Sequence, residues 1–271
     1  MIREINRQLK EDFDYLVEEG YEVLGVFLFG SQNYKTCIST SDIDVKAIII
    51  PSVSQMIFGD TETHVTIPRE NGEITVYDIN FMHYNFKKQN INFVEILFTK
   101  YKYVNPKYAE LYETMFELRE EIAHLNEFRS VHAQMGNLKN KISKLFHEVP
   151  SNKERIERYG YDNKAFSDIL RYEDFMTRYI EGVSYAECLI PEKAKYLTSL
   201  KLYPTLSKEE VASIVSTTEA RMKTLETEFY ETHPDRSDSY LIEVIDGVTE
   251  RCCKAYLKER CYFETWPLLS Y

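Results

Sequence analysis

The stretch FLFGSQNYKTCISTSDIDVKAIII, residues 27–50, constrains this chain more than any other part of it. It begins inside one short unbroken apolar run, VLGVFLF (23–29), and ends in another, DIDVKAIIIP (42–51). Runs of this length without helical periodicity read as buried strands. Between them stand Gly30-Ser31 and a polar spacer of ten residues, 32–41. A glycine directly after a buried strand lets the backbone turn sharply and bring N–H groups close to a ligand. Ser31 adds a hydroxyl donor, and a helix starting there would add its own free N–H groups. That combination suits a triphosphate, which makes Gly30 and Ser31 candidate phosphate-binding residues.

Asp42 and Asp44 open the second run. On an extended strand they share a face, with α-carbons roughly 6.6 Å apart, while Ile43 and Val45 point the other way into a core. Two carboxylates on one face repel each other unless a cation lies between them, and hard oxygen donors suit Mg²⁺ or Mn²⁺. Asp78 interrupts a third apolar stretch, ITVYDINF (74–81). Aspartate is depleted in strands. A third carboxylate on a neighbouring strand would complete a two-metal site, with one ion activating an attacking hydroxyl and both clamping a transferring phosphoryl group. Asp42, Asp44 and Asp78 are therefore the candidate catalytic and metal-binding residues, and two divalent ions are expected.

The surrounding sequence sets the architecture. Ile2, Ile5, Leu9, Phe13, Leu16 and Val17 recur at helical spacing ahead of Gly20. HVTIPR (64–69) and the 74–81 stretch read as strands joined across an Asn71-Gly72 turn. Beyond about residue 83 helical periods dominate. A short helix is expected around Phe93, Ile96 and Leu97, and longer ones over 106–122, 127–147, 161–181, 207–232 and 238–262, punctuated by Pro150, Gly160, Pro191, Pro204 and Pro234. The expectation is an α+β chain: a strand-rich domain over 1–105 and a helical domain over 106–271.

Charge narrows the partners. With 33 Lys and Arg against 44 Asp and Glu, the net charge is −11, which argues against coating long stretches of nucleic acid by charge alone. Residues 136–178 are the exception, with nine basic and seven acidic side chains. Within them Lys164, Asp168 and Arg171 share one helical face. Lys164 and Arg171 can form a cationic wall for a triphosphate or an RNA phosphate, or pair with Asp168 as a salt-bridge stripe. Lys46 shares a face with Asp44, where it can balance the carboxylates or reach a phosphate. Glu95 in NFVEILF reads as a structural hydrogen-bonding residue, and Tyr34 can stack on a base.

Five cysteines (37, 188, 252, 253 and 261) at irregular spacing, with no CxxC, fit reduced thiols in a cytoplasmic protein. The N-terminus has no apolar core of the kind a signal peptide carries, and no run is long enough to span a bilayer. None of the six histidines has metal-ligand spacing, and GxSxG, GxGxxG and GK[ST] are absent.

The Gly30-Ser31, Asp42/Asp44, Asp78 pattern resembles the DNA polymerase β nucleotidyltransferase superfamily. FGSQNYKTCISTSDIDVKAIIIPS is closest to the GSxNY…SDxDxK…P pattern of one branch, the RNA-repair-associated DNA polymerase β family of bacteria and phages. The resemblance continues through HVTIPRENGEITVYDINF, NINFVEILFTKYKYVNPKY and GYDNKAFSDILRYEDF, covering roughly residues 23–200. Lys35 stands where that branch carries Gly, and Asp168 where it carries His. The resemblance implies a palm-like mixed sheet with a helical partner domain. It also implies transfer of a nucleoside monophosphate from an NTP such as ATP to an acceptor hydroxyl, with release of pyrophosphate. In those terms Gly30 and Ser31 hold the triphosphate, Asp42 and Asp44 hold both metals, and Asp78 holds the catalytic metal and helps deprotonate the acceptor. The acceptor can be an RNA 3′ end, a protein hydroxyl or a small molecule. The alternative from another class is an NTP-binding regulator without catalysis.

Overall fold

The first helical stripe forms α1 (Ile2–Glu18), which ends at Gly20 in the left-handed conformation and leads into β1 (Glu22–Leu28). The computed structural model describes residues 2–59 and 64–263. β1 pairs antiparallel with β2 (Val45–Ile50). After α2 (Val53–Phe58), β3 (His64–Arg69) and β4 (Gly72–Asp78) form an antiparallel hairpin whose second strand lies parallel to β2. A short strand, β5 (Lys102–Val104), completes a five-stranded mixed sheet in the order β3-β4-β2-β1-β5.

Each face of the sheet buries a different set of side chains. Ile5, Leu9 and Leu16 of α1 pack on Val26, Leu28, Val45, Ala47, Ile74 and Val76. Val17, expected in that stripe, is 47% exposed because it falls at the edge of the buried arc. Leu24, Phe27, Ile48 and Ile50 face the other way. Strict alternation would put Leu24 with Val26. A bulge between Val23 and Gly25 inserts one residue and switches the faces.

On that second face lie α3 (Ile79–Lys87) and α4 (Ile91–Val94). The strand expected to run through Phe81 stops at Asp78, because the Asp78 carboxylate accepts the Phe81 N–H at 2.7 Å and starts α3. The remaining chain is helical: α5 (Ala109–Glu117), α6 (Arg119–Ala123), α7 (Glu127–Lys144), α8 (Lys153–Tyr159), α9 (Asn163–Ile180), α10 (Tyr185–Cys188), α11 (Ala194–Leu202), α12 (Lys208–Thr232) and α13 (Ser239–Phe263). The expected helix over 106–122 is divided into a 3₁₀ turn, α5 and α6, while α8, α10 and α11 fill stretches that sequence periodicity leaves blank. α9 is the central helix, burying Phe166, Ile169, Phe175 and Met176. Its N-terminus is capped by Asp162, which accepts from the N–H groups of Lys164 and Ala165 and pairs with Arg155 at 2.8 Å.

One continuous core runs from Leu24, Phe27 and Ile48 of the sheet through α9 to Ile245 and Cys252 of α13, so it passes straight across residue 105. α13 returns to the sheet domain: Lys107 bridges Glu22 of β1 and Glu259 of α13 at 2.8 and 2.6 Å. Asp246 of α13 meets His83 and Lys87 of α3. Cys37, Cys188, Cys252 and Cys253 are free thiols; the Cys261 side chain lies outside the described residues. Among the described residues no helix is long and apolar enough to cross a membrane.

Candidate active-site cleft

After β1 the chain leaves through Phe29, whose N–H donates to the Asp44 carbonyl at 3.1 Å, and turns at Gly30 with φ +84°. No helix begins here. Residues 31–35 form tight turns closed by Asn33 N–H to Gly30 O and Thr36 N–H to Ser31 O. The Asn33 side chain donates back to Leu28 O at 2.9 Å and accepts from Thr99. Lys35 has φ +55°, the left-handed region that glycine enters without cost.

Asp42 and Asp44 lie in the lead into β2, three and one residues before its first residue, Val45, so the strand expected from 42 begins later than its sequence suggests. Ile43 holds that lead in place: its N–H donates to Asn71 O at 2.8 Å, and its side chain joins Val45 in the core under α1. The hairpin approaches so closely that a Cβ on Gly72, at φ +139°, would overlap the Ile43 carbonyl. Asp42 is exposed and Asp44 half-buried. Burial, then the neighbouring Asp42 and Glu73 charges, push the Asp44 carboxyl above its ordinary range, opposed by Lys164 and a backbone hydrogen bond from Glu73.

Asp78 is not part of this group. The parallel pairing sets Val45 opposite Ile74 and Ile49 opposite Asp78, so Asp78 lies level with a position five residues beyond Asp44, about 16 Å further along the sheet. It is buried there as the cap of α3. The carboxylate that β4 brings towards Asp44 is Glu73, at the start of the strand. Its sequence signal was its place directly after the Asn71-Gly72 turn. The chemistry of Asp42, Asp44 and the flanking Glu73 fits a divalent cation: hard oxygen donors whose mutual repulsion a cation relieves. Among the described residues no three His, Cys, Asp or Glu side chains are already drawn together to hold a metal ion.

Across the cleft stands a cationic wall built from three helices. Lys164, Asp168 and Arg171 come from one face of α9, Lys141 from α7 and Lys201 from α11. Lys141 Nζ lies 2.6 Å from Asp168. Lys201 donates to the Thr36 carbonyl at 3.2 Å, tying the wall to the turn after β1. Burial would raise the Asp168 carboxyl, but Lys141, Arg171 and Lys201 outweigh it and hold Asp168 below the ordinary carboxylate range. Burial lowers the Lys201 ammonium. Arg171 is 5% exposed and lies over the rings of Tyr34 and Tyr172, 4.1 and 4.4 Å from their centroids. Its Nε is 3.9 Å from Asp168, beyond hydrogen-bond reach, and among the described residues neither Nε nor Nη1 finds a hydrogen-bond partner. Buried donors left open are costly, and both are shut off from solvent, so Arg171 offers the cleft its charge rather than these two N–H groups.

A buried ion pair sits beneath. Lys46, two residues past Asp44, pairs with Glu95 at 3.0 Å, donates to Asn92 O and lies 4.0 Å from the Phe29 ring centroid. Glu95 also accepts the Tyr34 hydroxyl. Lys46 therefore braces the site from below, and Tyr34, 6% exposed and covered by Arg171, is closed to stacking on a base. Glu95 has the structural role its sequence context suggests.

Six of the seven sequence-derived site residues, Gly30, Ser31, Asp42, Asp44, Lys164 and Arg171, thus line one cleft of about 170 Å³. Lys141 and Lys201, on other helices, carried no local signal. A larger concavity of about 360 Å³ lies on the opposite face of α9, but its arginines are already engaged, Arg178 by Asp174 and three carbonyls, Arg221 by Glu173. No protein-family model and no curated protein matches the sequence.

Proposed function

We propose that this chain is a metal-dependent nucleotidyltransferase with a palm-like sheet. It would transfer a nucleoside monophosphate from an NTP to an acceptor hydroxyl. The observation that carries the reading is the polarity of one cleft: a carboxylate edge at Asp42 and Asp44 faces a wall of Lys164, Lys141, Lys201 and the buried Arg171, with the Gly30-Ser31 turn between them. A triphosphate fits such a division. Its outer phosphates meet the cations, and the reacting phosphate lies near the carboxylates. Magnesium is commonly held by one or two carboxylates together with substrate phosphates, so two aspartates suffice on the protein side. Asp42 and Asp44 would hold it, with Glu73 rather than Asp78 as the flanking carboxylate, and when bound the metal neutralises phosphate charge.

The chain's own residues then supply positioning and charge complementarity. The Gly30-Ser31 turn presents backbone and hydroxyl donors to phosphate oxygens. Arg171 sets a buried positive charge beside the leaving pyrophosphate, and Lys164 meets the pyrophosphate charge from the rim. The acceptor oxygen forms a bond to the α-phosphorus, the α–β phosphoanhydride bond breaks, and the hydroxyl proton leaves toward the carboxylate edge. The four free thiols described fit a reducing, cytoplasmic setting.

The test is incubation with labelled NTPs, Mg²⁺ and RNA, protein and small-molecule acceptors, with mass spectrometry of the product. Transfer is expected, and is lost in Asp42→Ala and Asp44→Ala. Undiminished transfer in both variants refutes the carboxylate assignment. NTP binding without pyrophosphate release for any acceptor marks a regulator instead.

A further inference from the structure

The turn after β1 has two sides. Gly30, Ser31 and Tyr34 face the cleft, whereas Gln32, Asn33 and Lys35 face a separate cavity of about 420 Å³. Buried Glu95 lines both and forms the partition. Phe98, Tyr101, Leu189 and Ile190 give the second cavity an apolar, partly aromatic lining, and Lys35 and Lys100, both exposed, supply its cations. Of the two carboxylates among the described lining residues, Glu95 is paired with Lys46, and Glu187 is engaged by the Ser184 hydroxyl at 2.6 Å. Neither lysine has such a partner in the cavity.

We infer that this cavity binds a nucleotide of the acceptor, its base against the apolar lining and its phosphate between Lys35 and Lys100. Flat aromatic surface beside basic side chains is how single-stranded nucleic acid is held without a long basic coat, since stacking accepts any base and one or two lysines neutralise the adjoining phosphates. The volume falls in the range of small-ligand pockets, roughly 300–1,000 Å³. Lys35 lines this cavity and not the cleft. Two lysines against the one carboxylate without a cationic partner among the described residues, Glu187, leave the lining net positive, which favours an anionic acceptor over a cationic small molecule. The acceptor role rests on reading the cleft as the NTP site.

The test measures binding of a fluorescent short oligoribonucleotide and of AMP, separately from Mg²⁺–ATP binding by calorimetry, in the unmodified chain and in Lys35→Glu/Lys100→Glu. Both lysines are exposed, so the fold is expected to survive. The double variant should bind the oligoribonucleotide at least tenfold more weakly, with the slope of log affinity against log salt shallower by about 0.7, while Mg²⁺–ATP binding is unchanged. Lysine-dependent binding of AMP with equal affinity identifies a free nucleotide as the ligand. Lysine-dependent binding of the oligomer alone identifies a strand end. Oligomer and AMP binding that is absent, or unaffected by the double substitution, with Mg²⁺–ATP binding intact, overturns the inference. Failure of the unmodified chain to bind Mg²⁺–ATP, with lysine-dependent oligomer binding retained, refutes the cleft reading and supports the cavity as a nucleotide site.

Discussion

Replacing Glu95 by Gln isolates the energetics of the brace beneath the cleft. Glu95 and Lys46 are 1% and 3% exposed, so neither charge has water to fall back on. The amide still accepts from Tyr34 but cannot neutralise Lys46, whose ammonium keeps the Asn92 carbonyl, the Phe29 and Phe93 rings and the more distant Asp44 charge. Removing one partner of a buried pair costs about 3–5 kcal/mol, because it leaves the other charge uncompensated. For a chain of this size that is a fall in Tm of roughly 6–20 °C. Burial already lowers the Lys46 ammonium. Part of the cost is therefore expected as proton release, and the deficit should shrink at alkaline pH. Lys46→Met with Glu95→Gln removes both charges and should recover most of the loss, since isosteric apolar replacement of a buried pair is commonly near neutral. Urea unfolding of the parent, the single and the double variants measures this directly. A Glu95→Gln cost below about 1 kcal/mol, or a double variant no more stable than the single, refutes the brace as described.

Three further outcomes follow from the geometry. Gly72→Ala forces the hairpin off Ile43 and should cost about 1–3 kcal/mol while reducing nucleotidyl transfer out of proportion; parental kcat in a folded variant would exclude the close approach as the device that sets Asp42 and Asp44. Asp78→Ala should lose about 1 kcal/mol of helix capping and keep metal-dependent activity, whereas Glu73→Gln should reduce it, and a steady-state comparison decides which carboxylate belongs to the site. Asp168 has a depressed carboxyl in the folded chain, so its stabilising contribution is full above the ordinary carboxylate pKa near 4 and is lost as pH falls through its lower folded value. Denaturation between pH 2 and 5 should accordingly show a shallower acid decline for Asp168→Asn than for the parent.

Local pattern carried much of this structure. The run at 23–29 is a strand, the run at 42–51 is one from Val45 onward, the Asn71-Gly72 turn joins a hairpin, and α7, α9, α12 and α13 lie where helical periodicity places them. Asp78 was misplaced for a physical reason. Alternation tells which face a strand residue occupies but says nothing of which end of a neighbouring strand it meets, and the parallel β2–β4 register decided that. It also hid Glu73, a surface-type residue by composition. The cationic wall was half legible: Lys164 and Arg171 share one helix, whereas Lys141 and Lys201 reach the cleft through the packing of α7 and α11 on α9, which no local period encodes.

The single core that crosses residue 105 has a mechanical consequence. Hinged enzymes close over a substrate by rotating two bodies about a seam with few contacts. Here the sheet and helices are joined by shared apolar packing, by Lys107 between Glu22 and Glu259, and by the Lys46–Glu95–Tyr34 chain beneath Arg171. That shared packing opposes separation of the two walls of the cleft. On the function proposed above, substrate discrimination would fall to the width of the opening and to the reach of individual rim side chains such as Lys164, as in a gauge rather than a jaw.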